Sequence, residues 1–501
     1  MRITNRMMTD SMLYNINNNK NRLDTLSNQY TTGKKIQKPS DDPIIAVRAL
    51  KLRTNLSELN QYYEKNIPDA LQWMSVTEGS MTTLGDILVS MNTLCDQGAN
   101  DTNTATNRDS IVANLVQYKQ QIYQEGNSNY AGRYVFSGYK TDTSLVFSTD
   151  TSDYEYSITE PLKGTDIDII TTLYGAVDIS EFDRNDPDSW KTKGLDRMPE
   201  TKNVYRLRLA YDGLESTPMQ SFDISHTDAA GNVTSTTFSN IKTISVTDKD
   251  AYKPDDDAVN FIHETGELII GKNLYNDFRT ASEIKVDYEK HSFNQNELRP
   301  EHYFNCKVVD KNDPTNPVTF TKANQEIKYE VNFNQKITIN TQGDTLFSQS
   351  LGRAVDQIQS SVNDVIAVEK KMAEVKKMLE DKSLSNDAIT TLNGIYSQLE
   401  SEFTLRTSIM RETFAKGLTV TSTEQDRVNV ALSDLGGRYN RLLMTQSRLS
   451  TQQVDFEELM STNEEVDIVD TYVKLTSQKT IYDASLSSAA KLTGSTLLDF
   501  I

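Results

Sequence analysis

The sequence predicts a mainly α chain with a β-rich insert: an elongated helical rod, coiled coil or bundle, built from both chain ends, with a mostly-β domain between them. Three observations carry this. Eight of the 11 prolines lie between Pro161 and Pro317 and none follows, so the last 184 residues lack the residue that breaks helix interiors. Apolar residues recur at three-four spacing in both end regions, as a narrow helical seam requires. The middle instead shows short alternating runs bounded by turn residues, the pattern of half-buried strands. A chain of 501 residues with 37% hydrophobic content suits a long structure with a thin core.

The first helix is expected from Ile3 to Tyr30, ending at Thr31-Thr32-Gly33. Its apolar row is Met12, Ile16, Asn19, Leu23, Leu26 and Tyr30; the rest is polar and rich in asparagine, a poor helix former. A joint follows, with Pro39 and Pro43 bracketing Ser40-Asp41-Asp42. Asp42 is a good N-cap and Pro43 suits the first helical position. One register then runs through Leu52, Leu56, Leu59 and Tyr63. A second runs through Ile67, Ala70, Met74, Met81, Leu84, Leu88, Met91 and Cys95, with a stutter at Glu64–Ile67 beside Pro68. Helical throughout, Asp42 to Gln97 would span roughly 80 Å at about 1.5 Å per residue. Asn107 to Glu125 is a further amphipathic stretch, with Ile111, Leu115, Tyr118 and Ile122 on one face.

Near Gly126 the character changes. Asn129 to Asp142, rich in glycine and aromatics, reads as strand and turn. Val204–Tyr211, Ile241–Val246 and Glu283–Tyr288 alternate as strands do. Asp228–Asn232 and Glu264–Glu267 are hairpin turns, and Glu326–Gln342 is a last hairpin. Residues 141–340 carry about −14 of the chain's formal −19. Helix resumes over Asp344–Asp381, with a turn near Lys382 to Asn386. Asn386–Phe414 and Asp426–Met460 are two further amphipathic stretches. The final stretch sets Val466, Val469, Val473, Thr476 and Leu486 near one seam. Both chain ends have the look of half a coiled coil. They are expected to pair with each other, with neighbouring subunits, or both, and to be largely disordered before assembly, since isolated helices of this kind are marginal in water.

The chemistry of an enzyme is missing from the pattern. The 71 acidic residues against 52 basic ones make a surface that repels nucleic acid and anionic lipid, and no window reaches the length of a membrane-spanning helix. The four histidines (His226, His263, His291 and His302) all lie in the insert, and His263 does not open a His-Glu-x-x-His zinc pattern. Asp434–Arg441, Asp-Leu-Gly-Gly-Arg-Tyr-Asn-Arg, lacks the lysine and preceding strand of a phosphate loop. Asp183–Asp188 and Asp248–Asp257 are acidic enough to attract calcium but lack EF-hand spacing, so solvated surface loops are the expected reading. Trp73 and Tyr62-Tyr63 read as core or seam residues. Cys95 and Cys306 sit in regions different in kind, which argues against a disulfide. The first residues lack the apolar core of a cleaved signal peptide. No catalytic, cofactor-binding or metal-binding residue is assigned, and no cofactor is expected.

Several segments carry a family likeness. They are Met1–Met8, Leu23–Pro43, Asn129–Thr141, Asp434–Arg441 and Ile468–Leu492. Together they resemble the flagellin superfamily, and within it the type 3 hook-associated subfamily of the hook–filament junction. The likeness covers about residues 1–145 and 340–501; the insert matches nothing recognisable. The last residues, Ser495–Ile501, lack the basic end common in flagellins. The resemblance implies a flagellin-like rod in three parts: residues 1–40 with 461–501 as a terminal coiled-helix domain lining the inner tube, 41–145 with 326–460 as the rod, and 146–325 as an outward insert. It implies no enzyme but a self-assembling structural adaptor. Its partners would be identical subunits in a ring, the type 1 hook-associated protein, flagellin and a flagellar export chaperone. It also implies type III export without a cleaved signal, to an extracellular place on the flagellum. The expected assembly interface is Met12, Ile16, Leu23, Leu26, Tyr30, Val466, Val469, Val473 and Leu486. The expected elbow is Pro39, Ser40, Asp41, Asp42 and Pro43, whose fixed φ turns the chain from an inner helix into the rod. The alternatives are a filament flagellin or minor filament subunit, an enzymatic or metal site in the acidic insert, and a cytoplasmic helical-rod signalling protein.

Overall fold

A computed structural model of the chain describes residues 5–100, 105–228 and 230–493. Its N-terminal part comprises α1 (Asn5–Thr32), α2 (Pro43–Asn60), a π-helical turn (Gln61–Asn66), α3 (Ile67–Ala99) and α4 (Ala105–Glu125). The middle contains β1 (Asn129–Tyr130), β2 (Arg133–Tyr134), β3 (Tyr154–Leu162), β4 (Asp168–Tyr174), α5 (Ser189–Thr192), β5 (Glu200–Arg208), β6 (Phe222–Thr227), β7 (Val233–Phe238) and β8 (Ile241–Ile244). It continues with β9 (Val259–Ile262), β10 (Glu267–Ile270), α6 (Tyr275–Thr280), β11 (Glu283–Lys290), β12 (Asn305–Asp310), β13 (Asp313–Phe320), β14 (Lys328–Asn332) and β15 (Gln335–Thr338). The C-terminal part is α7 (Gln349–Leu379), α8 (Asn386–Glu464) and α9 (Ile468–Thr493). Residues 1–4, 101–104, 229 and 494–501 lie outside the described residues, so parts of the Met1–Met8 and Ser495–Ile501 likenesses and of the Asp228–Asn232 turn do too. The chain divides into two compact units, Met1–Leu71 with Tyr329–Ile337 and Asn440–Ile501, and Gln72–Lys328 with Thr338–Tyr439.

In the first unit α1 and α9 run antiparallel against each other, and α2 begins on an Asp42 cap. The π-helical turn falls where the two seam registers meet. A wider turn takes up the residues that a continuous α-helix would carry out of register. The β14–β15 hairpin lies against it. Phe333 meets Tyr62 edge-on at 5.8 Å, and Asn66 Nδ2 donates to the Glu330 carbonyl at 2.9 Å. Arg448 Nη2 reaches Gln335 Oε1 at 3.0 Å from α8.

In the second unit the seam of α3 is as the spacing requires, with Met74, Met81, Leu84, Leu88, Met91 and Cys95 all buried. Trp73 is buried as well, with Tyr130 edge-on and the Arg133 guanidinium over its ring at 5.1 Å. Cys95 and Cys306 are both free and buried.

The stretches Asn386–Phe414 and Asp426–Met460 are not separate: α8 runs unbroken from Asn386 to Glu464, 79 residues. The residues between them, Ala415 to Gln425, are rich in threonine and contain Gly417, which conceals the helix. Thr419 and Thr423 return their hydroxyls to the carbonyls of Ala415 and Thr419, and a Cβ on Gly417 would come within 2.6 Å of Ile358 Cδ1. The glycine is there for close packing, not to end the helix.

Two sheets make the insert. One has the order β4-β5-β10-β9-β8, antiparallel except for the parallel β8–β9 pair. The other, β13-β12-β3-β11-β6-β7, is antiparallel throughout. Ile158 and Leu162 of β3, Ile284 and Val286 of β11, and Leu207, Phe261, Leu268 and Ile270 of the other sheet share one core. β9 and β10 are buried on both faces, the second face meeting Ile170, Val204 and Ala251. β11 alternates without a break, and the alternation places Lys290 inside. Its ammonium is held there by the Asp212 carbonyl and by Glu297 at 3.2 Å, since a buried charge needs both a partner and hydrogen bonds. The insert is also fastened to α7 and α8. Val177 and Trp190 pack with Val368, Val375, Leu392, Ile395 and Leu399, and Arg206 and Arg208 reach Gln357 Oε1 at 3.2 and 2.6 Å.

Candidate assembly surface

The first unit holds the residues that the sequence singles out. The elbow is built from the backbone outward. Gly33 takes φ +69°, a left-handed value that ends α1. Asp41 Oδ2 accepts from the N–H groups of Lys38 at 2.9 Å and Gln37 at 3.0 Å, closing a turn over Pro39 and Ser40. Those two backbone donors, Lys38 foremost, hold the Asp41 carboxyl below its ordinary range. Asp42 Oδ1 accepts from Ile44 N at 2.9 Å and Ile45 N at 3.2 Å, and Pro43 occupies the first helical turn.

The structure pairs α1 with α9, one of the two pairings that the sequence allows. Each supplies the apolar burial that the other lacks alone. Met12, Ile16, Leu23 and Leu26 are half-buried along this pair, and Asn19 sits among them. Asn19 Nδ2 donates to Ser485 Oγ at 2.9 Å and Gln478 Nε2 donates to Asn19 Oδ1 at 3.3 Å. A polar residue inside an apolar seam fixes register at some cost in stability. Tyr30 stacks obliquely with Tyr472, ring centroids 5.6 Å apart, while staying largely exposed.

On α9 the face toward α1 is formed by Thr471, Leu475, Gln478, Tyr482 and Ser485. Val466 is half-buried just before the helix. Val469, Val473 and Leu486 point elsewhere and are 75%, 59% and 42% exposed. The apolar residues assigned to one seam therefore divide into a used face on α1 and an open face on α9. Ile44, Val47 and Leu50 add an open apolar row to α2, opposite its buried Ala46 and Ala49. Most of the large apolar side chains left exposed among the described residues belong to this unit. Such concentration is out of the ordinary, because single exposed apolar residues are common and clusters are not.

Sequence reasoning missed the residues that tie the two connectors together. Glu464 is nearly buried and accepts from Arg53 Nε at 2.8 Å and Nη2 at 2.5 Å, with Lys34 Nζ at 3.7 Å. The Arg53 hydrogen bond is the largest cause of its lowered carboxyl pKa. A signal was present. An antiparallel pairing of the ends brings Lys34-Lys35 opposite Glu464-Glu465.

The acidic loops of the insert serve as turns. Asp183 accepts from Asn185 N at 2.8 Å, Asp248 from Asp250 N at 3.0 Å, and Asp257 from Asn273 Nδ2 at 2.9 Å. No group of three His, Cys, Asp or Glu side chains placed to hold a metal ion occurs among the described residues. No helix among them is long and apolar enough to cross a membrane.

Residues 3–141 match the bacterial flagellin N-terminal helical region. This part of the chain is similar to that region. The flagellar hook-associated protein 3 of Salmonella typhimurium is 30% identical over 164 residues, 32% of this chain and 51% of that protein. The Escherichia coli protein of the same name is 28% identical over 155 residues, 31% of this chain and 48% of its own length. A flagellin of Clostridium tyrobutyricum is 30% identical over 128 residues, covering 26% of this chain and 34% of that one. The chain thus spans about half the length of the hook-associated relatives it matches, and a third of the flagellin. A solved hook-associated protein-3 of Legionella pneumophila aligns over 82% of this chain and 97% of its own, at 11% identity and a TM-score of 0.30.

Proposed function

We propose that this chain is a structural adaptor of the bacterial flagellum, joining the hook to the flagellin filament. The observation that carries the reading is the pairing of α1 with α9, together with apolar rows on α2 and on the outer face of α9 that stay exposed among the described residues. The likeness to two hook-associated proteins and to the flagellin N-terminal region supports a flagellar assembly as the one those faces serve. Copies of the chain form a ring through these faces, and burial of the apolar rows supplies the driving free energy. One side of the ring meets the type 1 hook-associated protein and the other templates the first flagellin subunits. Residues 1–40 with 461–501 line the tube, 41–145 with 326–460 form the next shell, and 146–325 face outward. The protein reaches this extracellular place through the flagellar type III apparatus, after release from a cytoplasmic chaperone. The role is not enzymatic and involves neither nucleic acid nor membrane insertion.

A second reading, a minor filament subunit, is favoured by the match to a flagellin at the same identity as the first hook-associated relative. Deleting the gene separates them. Bare hooks with unpolymerised flagellin in the medium establish the adaptor; filaments of normal number and length exclude it.

A further inference from the structure

Glu464 is the last residue of a 79-residue helix, at the end where the helix dipole opposes negative charge, and its side chain is only 5% exposed. Local rules disfavour a carboxylate there on both counts. Residues that break local rules and are compensated from far away in sequence mark places where something beyond local stability is at stake. The compensation here comes from two other segments. Arg53 of α2 presents its planar fork to both carboxylate oxygens, and Lys34 approaches from the connector after α1. Around this centre the two connectors are hydrogen-bonded to each other. Lys35 N donates to the Glu464 carbonyl at 2.7 Å, Val466 N donates to the Gly33 carbonyl at 3.0 Å, and Lys34 and Glu465 form an antiparallel bridge. Asn463 Nδ2 adds a bond to the Ile45 carbonyl at 3.2 Å, and Lys34 Nζ reaches Glu465 at 3.0 Å.

Two separate elbows would let α1 and α9 each swing on its own connector. We infer that Glu464 is a latch that makes the two connectors a single hinge with one setting, its carboxylate locking α2, the end of α8 and the connector after α1 through Arg53 and Lys34. The latch positions the α1–α9 pair; it is not itself a contact between copies. A bidentate guanidinium–carboxylate pair suits this task because it fixes an angle as well as a distance, which a lysine cannot do.

The inference is tested on the purified full-length monomer, independently of the adaptor reading. Amide hydrogen exchange is followed at Lys35 and Val466, the two N–H groups of the clip, and at β11 as an internal reference. Glu464→Gln keeps the size and the backbone carbonyl but removes the charge. It is expected to speed exchange at Lys35 and Val466 by about tenfold or more, the scale of a lost charge-assisted hydrogen bond, and to leave β11 unchanged. Arg53→Lys falls between the two, and the swapped pair Arg53→Glu with Glu464→Arg restores protection. Unchanged exchange at Lys35 and Val466 in Glu464→Gln overturns the latch. So does equal acceleration in β11, which would reduce Glu464 to general support of the fold. Because the signal comes from the monomer, a wrong adaptor reading leaves this result standing.

Discussion

The Tyr288 hydroxyl of β11 donates to Oε2 of Glu160 on β3 at 2.7 Å, deep inside the insert, and the same oxygen accepts from Ala210 N at 3.0 Å. Burial is the largest influence on this carboxyl and pushes its pKa up to about 7 from 4.5, against the pull of those two donors. The folded state therefore holds the proton more tightly than the unfolded chain does. The stabilisation is fully present below about pH 4.5 and is lost as pH rises toward 7, amounting to about 3 kcal/mol at 1.36 kcal/mol per pKa unit. Glu267 behaves oppositely. Arg206 and Arg208 overcome its burial and lower its pKa, so its contribution is lost as pH falls below 4.5. Thermal unfolding of the Glu160→Gln variant should show a flatter decline in melting temperature between pH 5 and 8 than the natural chain. Glu297 and Asp364, also raised by burial, leave some slope. An undiminished slope would place the titrating proton elsewhere.

Two helical glycines should respond to alanine with opposite signs. A Cβ on Gly98 of α3 would stand 2.2 Å from the ring of Phe414, which is fully buried in α8. Gly98→Ala is expected to cost about 1–3 kcal/mol through overpacking. A Cβ on Gly437 meets nothing within 4 Å. Gly437→Ala should stabilise the monomer by about 0.5–1 kcal/mol, the difference in helix propensity. Urea unfolding of the monomer reads both. A gain at position 98 would mean that the Phe414 ring has room to move.

Trp190 joins the insert to the α7–α8 helices, buried among Val368, Val375, Leu392 and Ile395. Trp190→Ala should cost about 3–5 kcal/mol locally. The visible consequence is tryptic cleavage at Arg184, Lys191, Lys193 or Arg197 under conditions that spare the natural chain. Unaltered resistance would show that the segment is held by other contacts, such as Gln398 Nε2 to the carbonyls of Leu195 and Arg197.

What was readable in the sequence divides along one physical line. Features set by local chemistry were legible: the Asp42 cap, Pro43 in the first turn, the stutter that became a π-helical turn, the α3 seam, the alternation of β11 and the hairpin turns. Features set by partners far away in sequence were not. Nothing near Lys290 announces that Glu297 and the Asp212 carbonyl will receive its charge inside the insert. Nothing near Glu464 announces Arg53. On α9, threonine and serine occupy positions facing α1 while valines face outward, so apolar spacing alone does not say which side of that helix meets α1. The threonine run of α8 misled for a related reason. Threonine scores poorly by propensity, but within a long packed helix its hydroxyl returns to the preceding turn.

The division of the terminal helices into a used and an open face yields the last prediction. Ile16 and Leu23 are half-buried against α9, so replacing both with Asp puts two charges into the α1–α9 seam. That variant should lose terminal helicity in the monomer and fail to enter flagella. Val469 and Val473 lie on the open face. Replacing them with Asp should leave the pair and the monomer's circular dichroism unchanged yet still prevent incorporation, because the charges would then be buried only between copies. The two variants thus separate folding of the ends from contact between them. Measured together, export with normal incorporation of the Val469/Val473 variant would show that the exposed face of α9 meets no other subunit. Loss of helicity in that same variant would mean that these valines belong to the intramolecular seam after all.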